Sequence, residues 1–454
     1  MPALSTGQNA KIAETNGIWH INSQQQWEAA AEDMHDFTLS DGLLRPTTEK
    51  ALFSSIFKEF QEKRKLSSIT FQQSPQWDNW QKIAKVTPDS AVDAPVFVPV
   101  GEDNYWLLAA LQGDQEYGYH AWHSEDMKSW KHHGPVTSWR NRWVTTAEYL
   151  NGTFYIYFDK PNDEQPHLIM DDDLADGKPG REIGMVFDDP SHGSDMAIFR
   201  DGDGTFHMIY EDWTPLNPRE HSWDSPLAGH TNSPDGYSGF KHHEFKPPID
   251  ERAPSTGSTA EYAPASSHFV PNRYAGPFTY QIPEKEQDAF GDYTMIKVGG
   301  HYYLFCDYDP KEDEKSMRVG RWRSDDIYDS FIWDGEIGEG FHPDPTIGFA
   351  EGKFYLIVQR SDHDFVSSGP WVDGVEARAG VDTDKDGQID QWTEFQEVSE
   401  SYSQKAGFVR VIESEPAKLL TNNLPAGYGF TFEFRVSGGE FATPVMDAIQ
   451  VEFE

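Results

Sequence analysis

"DMAIFRDGDGTFHMIYED", residues 195–212, decides how this chain is read. An Asp precedes a short apolar run, a turn of Asp and Gly interrupts it, and a second run opens on an aromatic residue. Two β-type runs around such a turn are the sequence form of a hairpin. The design recurs four more times: "DAPVFVPVGEDNYWLLAAL" from Asp93, "AEYLNGTFYIYF" from Ala147, "DYTMIKVGGHYYLFCDY" from Asp292 and "DPTIGFAEGKFYLIVQ" from Asp344. The second runs open at Tyr105, Phe154, Phe206, Tyr302 and Phe354, at spacings of 49, 52, 96 and 52 residues. Beats of about fifty residues with several strands each are what propeller blades require, because one small sheet cannot bury both faces without neighbours. The double-length gap lacks a further copy of the hairpin and is dense in Pro, Ser, Gly and His, which reads as loops inserted on one blade.

A second signal, Ser or Asp followed by Asp, recurs past the hairpins in "HSEDMKSW" (123–130), "DDDLADG" (171–177), "HSWDSPL" (221–227) and "RSDDIYDSF" (323–331). Side-chain oxygens that close turns explain it, so these stretches mark blade edges. The expected organisation is therefore all-β: residues 1–84 an N-terminal helical arm and lead-in strand, 85–365 a five-bladed β-propeller, and 366–454 a β-sandwich-like module. The arm is expected to be helical over 24–66, where Leu52, Ile56 and Phe60 fall on one helical face, and it offers a surface for a homodimer.

Composition narrows the function. With 76 Asp+Glu against 37 Lys+Arg the formal charge is −39, which repels nucleic acid and anionic membranes and suits a saline, marine setting. Aromatics at 14% of residues, including 15 Trp, fit β-structure and sugar-stacking surfaces. Cys306 is the one cysteine and lies in an apolar run, so no intramolecular disulfide forms. No run of 18 apolar residues or export signal is visible; a periplasmic or extracellular location is the expectation.

In four repeats an Asp stands 10 to 12 residues before the aromatic opening: Asp93, Asp195, Asp292 and Asp344. Radial repetition carries matching positions to a common axis, so the four carboxyl groups are expected to meet. Crowded carboxylates raise one another's pKa, which separates a protonated acid from an ionised base. Glycosidic hydrolysis needs that pair, with a separation of roughly 6.5–9.5 Å in inverting enzymes. Turn capping explains any single Asp, and an axial Ca²⁺ is a third reading. In the C-terminal part, "DTDKDG" with "QID" places Asp382, Asp384, Asp386, Gly387 and Asp390 in the spacing of a calcium loop, although Thr393 stands where a bidentate Glu belongs. A structural Ca²⁺ is expected there, with a second ion possible on the axis.

The five repeats, the Asp of "DAPVF", the Asp of "DMAIFRDGDGTFHMIY" and the ends "SEDMKSW" and "SDDIYDSF" resemble the five-bladed glycoside hydrolases, in particular families 43, 32 and 117. The resemblance covers residues 85 to 365. It implies Asp93 as general base, Asp195 as the orienting carboxylate and Asp292 at the position of the acid, where the family's Glu is replaced by a shorter Asp. His342 in "HPDPTIGF" lines the same mouth beside Asp344, with supporting a metal or water, or donating the proton, as further roles. Glu148, Trp143, Arg142, Glu211 and Asp344 are the expected substrate-binding residues. The function implied is an exo-acting, inverting hydrolase releasing a terminal sugar from an oligosaccharide, of marine galactan type or an arabinoside, xyloside or fructoside. A noncatalytic carbohydrate-binding propeller and a phosphorylase of similar fold are the rival readings.

Overall fold

The structure is a computed structural model that describes residues 17–454 except 74–76, 115–116, 139–142, 161–164, 190–194, 213–226, 243, 251–287, 311–316, 339, 341–343, 360–361, 371–373 and 437–443. The chain divides into two units. One comprises residues 80–367 and 403–413, the other 1–79, 368–402 and 414–454.

In the larger unit each repeated hairpin forms, with the turn where Gly, Asn and Asp supply it. The pairs are Ala91–Gly101 with Asn104–Leu111, Val144–Leu150 with Thr153–Asp159, Ala197–Arg200 with Phe206–Glu211, Ala289–Val298 with His301–Asp309, and Thr346–Ala350 with Lys353–Ile357. Each hairpin gains further antiparallel strands, so the described residues of this unit form five sheets. Their first strands abut in cyclic order, first to second through to fifth, and the fifth returns to the first. This ring is propeller-like: every inner strand is covered on both sides, and such strands read as near-continuous apolar runs. The double-length gap adds Ala228–Ser233 to the third sheet.

Hydrogen bonds close the ring. The hydroxyl oxygens of Thr146, Thr294 and Thr346 each accept the backbone N–H of the next inner strand, from Ile198, Ile347 and Phe97 respectively. The last of these joins the fifth sheet to the first. Gln81–Ala84, which precedes the first sheet in sequence, pairs with His363–Ser367 as the outer strand of the fifth sheet. Asp364 then accepts from Val86 N and Val358 N, pinning the crossing chain.

The Ser/Asp signals take the capping role. Asp126 Oδ1 accepts from Lys128 N and Ser129 N, Asp173 caps the 3₁₀ turn Leu174–Asp176, and Asp326 Oδ1 accepts from Tyr328 N. In the third sheet the matching turn is Ser233–Ser238, built on Asp235. The stretch expected there, residues 221–226, lies outside the described residues.

The smaller unit corrects the helical arm. Among the described residues of the segment read as an arm, only Gln24–Ala30 is α-helical. Its remainder consists of strands, including Ala31–His35, Ala51–Ser55, Lys58–Arg64 and Leu66–Gln73. These strands complete two sheets with Val375–Asp382, Gly427–Val436 and Met446–Phe453. The sandwich expected over 366–454 is thus built from both ends of the chain. The apolar spacing of 52, 56 and 60 was compatible with a helix, but the burial of Ala51, Phe53 and Ser55 alternates with period two. Phe53 stacks on Phe434 at 5.0 Å and meets Trp27 edge-on at 5.6 Å. Packing onto a partner strand distant in sequence outweighed local propensity. The described strands of this segment pair within the unit's own sheets.

Candidate active site

The inner strands do more than line the ring. At their entrances the backbone is pinched by β-bulges: pairing slips between Gly291 and Thr294 in the fourth sheet, and opposite Leu108 and Ala110 in the first. Asp93, Asp292 and Asp344 adopt left-handed backbone at φ 66°, 48° and 53°. Asp tolerates this region better than most residues. Such strain costs of order 1–3 kcal/mol per residue and clusters where a side chain must be aimed.

These side chains are aimed at one place. The charges of Asp93, Asp344, Asp292 and Asp195 all act on the hydroxyl of Tyr119, whose burial first and these carboxylates second push its pKa well above the ordinary phenol value. Oxygens of Asp292, Asp307 and Asp344 lie within 4.8 Å of one another. Asp307 Oδ1 also accepts from Asp344 N at 2.8 Å. Asp292 is driven well above the usual carboxylate range by burial, then by Asp344, Asp195, Asp307 and Glu211. Burial and these like charges both favour its neutral form, and the neighbouring carboxylates compete for the same proton.

Asp93 opens onto a cavity of about 280 Å³ lined by Lys85, Asp89, Val92 and Gln359 among others. The Gln359 side-chain amide donates to Asp93 Oδ1. Glu211 is buried on the second strand of the third sheet and acts on Asp292. Trp143 stands edge-on to Tyr119 at 6.2 Å.

Glu148 is not in this group and corrects the expectation of a substrate contact. It is wholly buried, with Oε2 3.9 Å from the Arg410 guanidinium. Burial, opposed by Arg410, pushes its pKa up to about 7. His342, Arg142 and also Arg140 and His192 lie outside the described residues.

Asp307, one position from the end of the apolar run in "YYLFCDY", was missed by sequence reading, and so were two residues with less local signal. Tyr119 has a buried hydroxyl with no hydrogen-bond partner among the described groups. It comes from the third strand of the first sheet, and nothing local distinguishes it from a core tyrosine. The second is Arg410, in the segment 403–413 that returns to the ring. Its Nη1 donates to Ala147 O at 2.8 Å, Nη2 to Phe97 O at 2.9 Å and Nε to Ile347 O at 3.4 Å. Those carbonyls belong to the inner strands of the second, first and fifth sheets, and the Arg410 carbonyl accepts from Lys297 N of the fourth. Its guanidinium thus ties three of the five inner strands together, and its backbone carbonyl holds a fourth.

In the smaller unit, carboxylate oxygens of Asp382, Asp384 and Asp390 lie within 4.8 Å of one another. Asp386 is outside this trio; its Oδ1 accepts from Gln388 N. Asp382 accepts from the amides of Asp384, Lys385 and Gly387, and Gly387 takes a φ of 83°. Three carboxylates so spaced fit a hard cation whose oxygens sit about 2.3–2.6 Å away.

No protein-family model and no curated protein sequence matches the chain. Among solved structures it is similar to a thermostable family-43 glycoside hydrolase, at 13% identity and a TM-score of 0.42, covering 74% of this chain and 96% of that one. An α-L-arabinofuranosidase from Clostridium thermocellum matches at 13% identity and a TM-score of 0.39, covering 66% and 93%. An exo-β-1,3-galactanase from Phanerochaete chrysosporium matches at 10% identity and a TM-score of 0.38, covering 82% and 100%.

Proposed function

We propose that this chain is a glycoside hydrolase and that its five sheets are the blades of a five-bladed propeller with the reaction at its axis. What supports this is the grouping of Asp93, Asp195, Asp292 and Asp344 from four sheets around the buried Tyr119 hydroxyl, with burial and like charges favouring the neutral form of Asp292. A neutral carboxylic acid among ionised carboxylates is the acid–base pair that glycosidic cleavage requires. Asp292 gives its proton to the leaving oxygen as the bond to the anomeric carbon breaks. Water attacks that carbon from the opposite face while Asp93 takes the water proton, so the sugar leaves with inverted configuration. Asp195 orients the pair, and solvent returns the proton from Asp93 to Asp292. The substrate is the terminal sugar of an oligosaccharide, with the cavity beside Asp93 as its pocket and marine galactans as the source that fits the acidic chain.

A Ca²⁺ ion at Asp382, Asp384 and Asp390 staples the loop between two strands of the smaller unit. Oxygens of Asp292, Asp307 and Asp344 are spaced as closely as those of the loop; a divalent ion there would hold Asp292 ionised, so an axial ion and the acid role of Asp292 are alternatives.

The test is release of reducing ends from galactan, arabinan, xylan and fructan oligosaccharides, with the anomer followed by NMR. Asp93→Asn should lower kcat by 10³-fold or more while binding persists. Unchanged turnover in Asp93→Asn, or strict dependence on phosphate, would sink the hydrolase reading. Calcium binding is checked separately: a chelator should lower the unfolding temperature of the wild-type protein and leave Asp384→Ala unaffected.

A further inference from the structure

The fourth sheet carries a second cavity, of about 360 Å³, away from the axial carboxylates. Four of its lining residues are aromatic and form a box. Phe290 lies nearly parallel to Tyr308 (5.5 Å, 14°), Trp322 stands edge-on to Phe290 (5.3 Å, 85°), and Trp333 closes the side at 5.5 Å from Trp322 and 5.0 Å from Tyr308. Trp333 is 42% exposed at the lip, whereas Trp322 is only 5% exposed. Leaving an indole half in water costs hydrophobic stabilisation and marks a surface kept for contact.

The rim is polar and fixed. Asp288 accepts from Tyr308 Oη at 3.1 Å, and Glu336 accepts from Arg318 Nη1 at 2.6 Å. A donor orients each carboxylate.

A bulge builds this arrangement. Pairing slips between Arg321 and Trp322, with Gly335 at φ 112°. The extra residue brings Trp333 and Glu336, three apart, to one face, where a regular strand would separate them. The same bulge occurs at Gly134 and Gly184 in the first and second sheets, with φ of 144° and 112°. There the residues matching Trp322 and Trp333 are Trp122 and His132, or Ile169 and Glu182. The sheet architecture therefore does not demand the aromatic box.

We infer that this box is a carbohydrate-binding site distinct from the axial one, holding one or two units of a neutral oligosaccharide. A sugar ring offers C–H faces to flat aromatic walls and a girdle of hydroxyls to the oriented carboxylates. The volume falls in the range of small-molecule sites. Placement adds to this, because the same pair of strands serves both sites: consecutive Asp307 and Tyr308 point to opposite faces, one toward the axial carboxylates and one into the box. The inference does not require hydrolysis, since the box would bind sugar whether or not the axis turns it over.

The experiment titrates Asp93→Asn, which stops turnover in the proposed mechanism, with β-1,3-galactotriose, xylotriose and arabinotriose, read by calorimetry and tryptophan fluorescence. At least one trisaccharide should bind with a fluorescence change, and Asp93→Asn/Trp333→Ala should weaken that binding at least 10-fold. The exposed position of Trp333 lets the fold stand, which circular dichroism would check; Trp333→Phe should restore part of the affinity. Equal binding by the two proteins, or no binding of any probe, overturns the inference. Competition by tetramethylammonium also overturns it, by showing a cage for cations. Failure of wild-type hydrolysis with binding at the box intact would refute the proposed reaction and leave this site standing.

Discussion

Replacing Arg410 by Met should cost the larger unit about 4 kcal/mol. The side chain is fully buried and makes two short bonds, to Ala147 O and Phe97 O, and a longer one to Ile347 O. Hydrogen bonds from a charged donor contribute about 1.5–3 kcal/mol each, and the third bond adds little at its length. Glu148, 3.9 Å away, would be left buried without its opposite charge, and breaking such a pair costs about 3–5 kcal/mol. These effects overlap, because Glu148 can escape by taking a proton, so the sum is smaller than its parts. At about 2–4 °C per kcal/mol, the unfolding midpoint should fall on the order of 10 °C. The loss should be smaller at pH 5 than at pH 8. Glu148, with a pKa of about 7, is already neutral at pH 5 and needs no counter-ion. Calorimetry at both pH values on Arg410→Met, Glu148→Gln and the double variant measures this. A loss under about 1 kcal/mol, or no coupling between the two substitutions in that cycle, would show that the axial arginine holds nothing together.

Two further expectations follow from the same ring. Asp292→Asn should abolish turnover and flatten the stability profile. A carboxyl group whose folded pKa is raised adds stability below its ordinary pKa, and that contribution is lost as pH climbs through the raised value. The variant should match the wild type in relative stability at low pH and gain on it toward pH 9, and parallel pH profiles would contradict the placement of Asp292. Thr346→Val removes the acceptor for Phe97 N at the seam between fifth and first sheets, which should cost about 1–3 kcal/mol in denaturant unfolding; a neutral result would mean that the seam is held elsewhere.

Much of the ring was legible because its signals are local. A hairpin announces itself within some fifteen residues through turn chemistry and strand composition, and all five emerged where the repeats stood. The phase of the Asp residues against those hairpins was equally readable, although the bulges that aim them depend on pairing geometry. Tyr119 was hidden, since a tyrosine on an apolar strand looks the same whether its hydroxyl meets carboxylates or packs in a core. Glu148 misled for the opposite reason: an acid near a strand entrance resembles a site residue until Arg410, some 260 positions away in the chain, is seen beside it.

By itself, then, the order of residues determined the sheets, their repetition and the alignment of their acidic entrances, because strand alternation and turn closure act between neighbours in the chain. Tertiary structure decided the rest. It turned a segment with helical spacing into strands when Phe53 met Phe434, and it carried the return segment's arginine to the axis. Those outcomes depend on burial against partners hundreds of residues away, and no local pattern encodes which distant surface will be there to be covered.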